Sequence, residues 1–216
     1  MNINVNYIIA VFLVSIFSII LHELMHGVTA YLLGDQTAKL SGRLTLNPIK
    51  HIDPIMSIVL PVCLALMGMP VFGGAKPVPI NTRNLRGGEW GFALVAIAGP
   101  VTNFLLAFAF FLIGHFTGAF NDTHMMSFGA ALCYAGVSLN IGLCLFNLIP
   151  IPPLDGSRVL YALAPESVQN FMRMMEQYGI IVIYALLLVG STVLSQYMAA
   201  GQEGIIRFFY WIVGIQ

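Results

Sequence analysis

The 216-residue sequence predicts an all-α protein, a single domain that crosses a membrane several times. Three observations carry that prediction. Hydrophobic residues make up 58% of the chain and charged residues 8%, against about 25% charge in a typical soluble domain. Nine basic and nine acidic side chains are too few to cover a soluble surface. The mean hydropathy is +0.87, and long stretches have no charge at all: residues 54–75, 90–121, 123–154 and 177–202. A span needs about 20 apolar residues, so about four to five transmembrane helices are expected. Zero net charge argues against nucleic acid as a partner.

The first helix is expected over about residues 7–33, where Glu23 is the only charged side chain between residues 1 and 34. It does not read as a removable signal peptide, because it has no basic leader and the apolar run is too long. The next apolar stretch contains Pro54, Pro61, Pro70, Gly68 and the Gly73–Gly74 pair. It reads as a re-entrant segment followed by a membrane-associated, β-like extended loop, together about 54–82. Further helices are expected over about 90–114, 131–150 and 178–197, and an interfacial piece carrying Arg207 over about 204–216.

The basic residues favour re-entry over a full crossing. With the N-terminus outside and re-entry, Lys39, Arg43, Lys50, Lys76, Arg83, Arg86, Arg158 and Arg173 all lie inside, against Arg207 outside. A crossing would leave only Lys39, Arg43, Lys50 and Arg207 inside, against the positive-inside rule. Cys63, Cys133 and Cys144 sit in apolar runs without C-x-x-C spacing and read as buried small residues rather than a disulfide or thiolate site.

Within the first helix stands His22-Glu23-Leu24-Met25-His26, an H-E-x-x-H pattern. Residues four apart share a helix face one turn apart, so both imidazoles can reach one Zn²⁺, with Glu23 placed to act as general base on a water. Ionisable groups inside a membrane helix are costly and mark function by default. A polar patch binding a neighbouring helix, or a proton path, are the other readings of the same residues.

A catalytic zinc site uses three protein ligands. The remaining candidates are His51, His115, His124, Asp53, Asp122 and Asp155. His115 and His124 read as interfacial, and His51 and Asp53 as turn residues. Asp155 ends the run Asn147-Leu148-Ile149-Pro150-Ile151-Pro152-Pro153-Leu154-Asp155-Gly156, whose prolines stop a regular helix. If the first helix enters near Tyr7, His22 lies about 22 Å along it, toward the inner side of a core about 30 Å thick. Under the re-entrant topology Asp155 falls on that side too.

These motifs together resemble the site-2 protease family of intramembrane zinc metalloproteases, which pairs H-E-x-x-H with N-x-x-P-x-P-x-L-D-G on a later helix. Ala98-Gly99-Pro100-Val101-Thr102-Asn103 resembles the family's A-G-P-x-x-N, and the stretch from Gly73 to Asn81 its extended loop. The resemblance implies one Zn²⁺ per chain held by His22, His26 and Asp155, with Glu23 as catalytic base. It further implies a membrane-spanning protein substrate and a multi-pass location in the cell membrane of a prokaryote, the site toward the cytoplasmic side. The chain leaves no room for the PDZ or CBS domains many members carry, so the likeness is to a minimal form.

Three further expectations concern substrate handling. Asn147 and Asn103 are candidate donors to an oxyanion or to substrate backbone, each with a helix-packing role as the competing reading. Lys76, Pro77, Val78, Pro79, Ile80 and Asn81 are expected to form an edge strand that pairs with an extended substrate. Lys39, Arg43, Arg83 and Arg86 are expected to meet anionic headgroups. A catalytically silent zinc scaffold and a transporter or proton channel are the alternative functions; the sequence shows no internal repeat of the kind transporters carry.

Overall fold

The computed structural model describes residues 4–66, 73–121 and 127–214, without the side chains of residues 58, 61 and 65. Its helices are α1 (Val5–Leu32), α2 (Thr37–Leu40), α3 (Leu60–Leu66), α4 (Gly88–Phe116), α5 (Phe128–Asn147), α6 (Gly156–Leu163), α7 (Glu166–Gln177), α8 (Gly179–Leu188) and α9 (Ser191–Ile212). No strand occurs among the described residues.

Local chemistry sets the helix starts. Asn4 accepts from the Tyr7 N–H at the head of α1, and Ser127 accepts from the Ala130 N–H at the head of α5, each satisfying a donor the first turn leaves free. α1, α4 and α5 are long and apolar enough to cross a bilayer, so the chain is an all-α polytopic membrane protein. Their outer faces are apolar as well: Phe12, Leu13 and Phe17 on α1 and Leu94, Leu105 and Ile113 on α4 are exposed. Hydrocarbon accepts such faces, and the helices satisfy their own backbone.

α4 packs against α1, α5 and α6. Small side chains bring α1 and α5 together, with Ala10 and Val14 against Ala131 and Ala135, the close approach by which membrane helices gain contact. On the other side of α5, Phe111, Ile141, Leu145 and Phe209 form a core shared with α4 and α9.

The fourth long helix expected over 178–197 is divided. α8 has only ten residues, about 15 Å, half the hydrocarbon thickness. It forms a span only together with α7, from which it bends by 89°. The chain breaks at Val189–Gly190, and α9 then runs unbroken through residues 198–203 into the piece read as separate. Among the described residues three spans therefore stand by length and composition, or four with the bent pair, the upper count meeting the lower end of the four to five expected.

Before α4, Asp53 caps a π-helical turn at Pro54–Val59 by accepting from the Ile55 and Met56 N–H groups, and α3 follows. The chain is back beside this turn at Gly74. The Gly74 N–H donates to the Met56 carbonyl at 3.1 Å, and the Ser57 hydroxyl donates to the Gly74 carbonyl at 2.7 Å. Gly68 and Pro70 of the expected re-entrant segment lie outside the described residues, as do Asp122 and His124. Residues 73–80 are irregular rather than strand. His51 is buried with Nε2 2.8 Å from the Thr45 carbonyl, a turn role like that of Asp53. His115 stacks on Phe111.

Candidate metal centre

His22 and His26 are both buried on α1, their rings 4.6 Å apart and nearly perpendicular. Asp155, from the turn after α5, brings Oδ2 to 3.1 Å from His22 Nε2 and 3.5 Å from His26 Nε2. Three ligand atoms about 2.0–2.1 Å from a tetrahedral metal lie about 3.3 Å from one another, and both Asp155 distances match that spacing. Asp155 stands at the N-cap of α6 but makes no capping hydrogen bond, the use an aspartate there normally has. Its Oδ2 is buried and lacks a hydrogen-bond partner. A buried acceptor without a donor, aimed at two imidazole nitrogens, fits a divalent cation. Glu23 offers an oxygen within 4.8 Å of the ligand nitrogens of both histidines.

One face of α4 seats the two rings. Val95, Gly99 and Asn103 follow at intervals of four. The Val95 carbonyl lies 2.8 Å from His26 Nδ1, and Asn103 Oδ1 lies 2.6 Å from His22 Nδ1. Both acceptors engage the Nδ1 side, which leaves both Nε2 atoms facing Asp155, the arrangement that orients metal-ligating histidines. Between them, a Cβ on Gly99 would stand 2.6 Å from ring atoms of both histidines, so only glycine admits the pair.

One sequence-derived candidate is placed here and one reading is corrected. Asn103, a candidate oxyanion or substrate contact, is fully buried and spends its oxygen on His22 and its nitrogen on Asn140, 2.9 Å away. Its oxygen faces the histidine. Arg43, expected at the headgroups, is 6% exposed and donates to the Lys76 carbonyl at 2.5 Å. Asn147 donates one amide hydrogen to the Leu143 carbonyl one turn back at 3.0 Å, and its nitrogen keeps a second hydrogen for another acceptor.

The turn that carries Asp155 is tight. Ile149 and Leu154 are buried, the Pro152–Pro153 peptide is cis, and a Cβ on Gly156 would stand 2.2 Å from the Leu148 carbonyl oxygen. Glycine after the aspartate lets the chain fold onto the end of α5.

The irregular stretch is held across the other side of α1. The Lys76 N–H donates to the His51 carbonyl at 2.8 Å, and the Val78 N–H donates to Glu23 Oε2 at 3.0 Å. The Asn81 N–H donates to Asp35 Oδ2 at 2.7 Å. Asp35 is fully buried just past α1. Burial alone would raise its carboxyl, but donors from Thr37, Asn81 and Asn84 outweigh that and hold it below the ordinary carboxylate value. Sequence reasoning missed Asp35, Val95 and Asn140. Asn140 left a signal, an amide inside an apolar helix; Val95 contributes only its backbone and left none.

The chain is similar to proteins named as zinc metalloproteases. Peptidase family M50 matches over residues 69–191, which includes Asn103, Asn140 and Asp155 but not the histidine pair. "Putative zinc metalloprotease YwhC" of Bacillus subtilis is 41% identical over 199 residues, covering 90% of this chain and 88% of that protein. "Putative zinc metalloprotease Rip2" of Mycolicibacterium smegmatis is 34% identical over 79% of this chain, and its Mycobacterium tuberculosis namesake 33% identical over 79%. The chain spans 63% of each of these two longer relatives. No solved structure matches significantly.

Proposed function

This chain belongs to Peptidase family M50, and from that premise we propose that it hydrolyses peptide bonds in or beside the transmembrane segments of other membrane proteins. One zinc ion would be held by His22, His26 and Asp155. When bound, zinc supplies Lewis-acid polarisation of the scissile carbonyl and lowers the pKa of water. Glu23 takes the proton from the attacking water and delivers it to the leaving amine. The observation that carries the reading is Asp155 Oδ2, buried, without a donor, and between two imidazole nitrogens.

A helical substrate hides its amides and must unwind to be cut. Pro77 and Pro79 have no N–H, so Val78 supplies the only backbone donor between Lys76 and Ile80, and Glu23 holds it. The stretch thus meets a substrate through its carbonyls, by accepting from substrate N–H groups. The site lies toward the cytoplasmic side of a prokaryotic cell membrane with the N-terminus outside. The eight-to-one basic residue split supports this topology, as does the pinning of Gly74 to Met56 and Ser57.

The test is bound zinc and cleavage of a transmembrane reporter by the purified protein in detergent. Wild type should hold about one equivalent, as a single mononuclear site requires, and cleave. His22→Ala and Asp155→Ala should lose the metal, whereas Glu23→Gln should keep it and lose cleavage. Full zinc retention by Asp155→Ala would remove it from the ligand set. Zinc binding without any cleavage would favour a silent scaffold.

A further inference from the structure

We infer that Asn140, in the middle of α5, is a positioning residue for the metal centre: it fixes the amide of Asn103 and, through it, the hydrogen on the His22 ring. The inference rests on the metalloprotease reading for what occupies the centre; the relay stands on hydrogen-bond polarity.

The relay begins at a group that can only accept. Asn140 Nδ2 donates to the Gly136 carbonyl, 2.8 Å away. This turns Asn140 Oδ1 toward α4, where it accepts from Asn103 Nδ2 at 2.9 Å. Asn103 must then present Oδ1 to His22 Nδ1, at 2.6 Å. An amide oxygen cannot donate, so Nδ1 carries a ring hydrogen, and in the neutral ring that ligates a cation the lone pair is on Nε2, 3.1 Å from Asp155 Oδ2. A carbonyl of α5 thus sets the free nitrogen of an imidazole on α1, by way of α4.

With the Asn103 amide reversed, its NH₂ would face Nδ1. The ring hydrogen would move to Nε2, where it blocks a cation. Asn140 excludes that state. Both asparagines are fully buried, so water does not compete for either amide. His26 needs no such relay, because its Nδ1 partner is the Val95 backbone carbonyl, which cannot flip. Asn140 also ties α4 to α5, as polar groups in membrane helices commonly do. A pure tie would affect the fold and leave the His22 tautomer untouched.

The experiment uses the full chain in detergent with ¹⁵N-labelled histidine. The His22 ring shifts of the zinc-free protein report its tautomer, and competition with a chelator reports Zn²⁺ affinity. Wild type should show hydrogen on His22 Nδ1; a neutral ring with its single hydrogen on Nε2 overturns the inference whatever any variant does. Asn140→Leu, similar in volume but without polar atoms, should lose the single tautomer at His22, keep it at His26, and weaken zinc about 10- to 100-fold, the usual effect of losing an outer partner of a ligand. Asn140→Asp, whose neutral form donates to Gly136 and accepts from Asn103, should stay near wild type in both readings. Equal loss in the two variants, or a folded Asn140→Leu with unchanged tautomer and affinity, overturns the inference. His22→Ala is the control for the centre itself. If it keeps full zinc affinity, the metal assignment fails, and the tautomer measurements alone decide the relay.

Discussion

The backbone N–H of Val78 donates to Glu23 Oε2 at 3.0 Å across 55 positions of sequence. The carboxylate proposed as the base is therefore also the fastening point of the irregular stretch beside it. Hydrogen exchange reads this bond directly. The Val78 amide should exchange slowly in wild type and stay slowed in Glu23→Gln, whose amide oxygen still accepts. In Glu23→Leu it should exchange at least about tenfold faster, since a hydrogen bond to a charged group is worth about 1.5–3 kcal/mol. Equal exchange in all three would show that the stretch is held elsewhere.

A single methyl group should close the centre. In Gly99→Ala the new Cβ would lie 2.6 Å from ring atoms of His22 and His26, and the rings must part. Bound zinc should fall by about 100-fold or more, the upper range for disturbing groups around a metal, with helix content unchanged. Gly142→Ala is the control, because a Cβ there meets nothing within 4 Å. Undiminished zinc in Gly99→Ala would show that the seat on α4 is not tight.

Acid should weaken the anchor beyond α1. The depressed Asp35 carboxyl contributes stability that is fully present above its ordinary value near 4 and fades as pH falls through the lower folded value. Asp35→Asn should cost about 1.5–3 kcal/mol at neutral pH. The gap between wild type and variant in thermal unfolding should stay level down to about pH 5 and narrow below pH 4. A gap that widened on acidification would contradict this account.

The Arg43 guanidinium should matter for the stretch rather than for the metal. Arg43→Met keeps a long apolar stem but removes the donor to the Lys76 carbonyl. Limited proteolysis should then cut near residues 76–81 faster, while zinc binding stays at the wild-type level. Unchanged proteolysis would place the hold on this stretch with Asp35, Glu23 and the His51 carbonyl.

The parts of the fold read most easily from sequence are those with a local physical cause. α1, α4 and α5 announce themselves because twenty or more apolar residues have few uses besides a span. His22, Glu23 and His26 announce themselves because helix geometry alone brings them together. Asp155 needed the prolines before it and a depth estimate. The division of 178–197 was harder: Gly190 was visible, but the continuation of α9 past Gln202 and Glu203 depends on packing against α5. Asp35 and Arg43 were opaque because a charged residue after a span reads as headgroup-facing unless its buried partners are known. Here those partners include backbone groups of residues 76 and 81, which no side-chain pattern reveals.

Both imidazoles belong to α1, whereas the carboxylate that meets them follows α5, 133 positions later. A nascent chain carries its histidines into the bilayer early and has nothing to complete the trio until residue 155 has been made and α5 has been inserted. Order of synthesis therefore acts as a built-in delay. Until then the centre is in pieces.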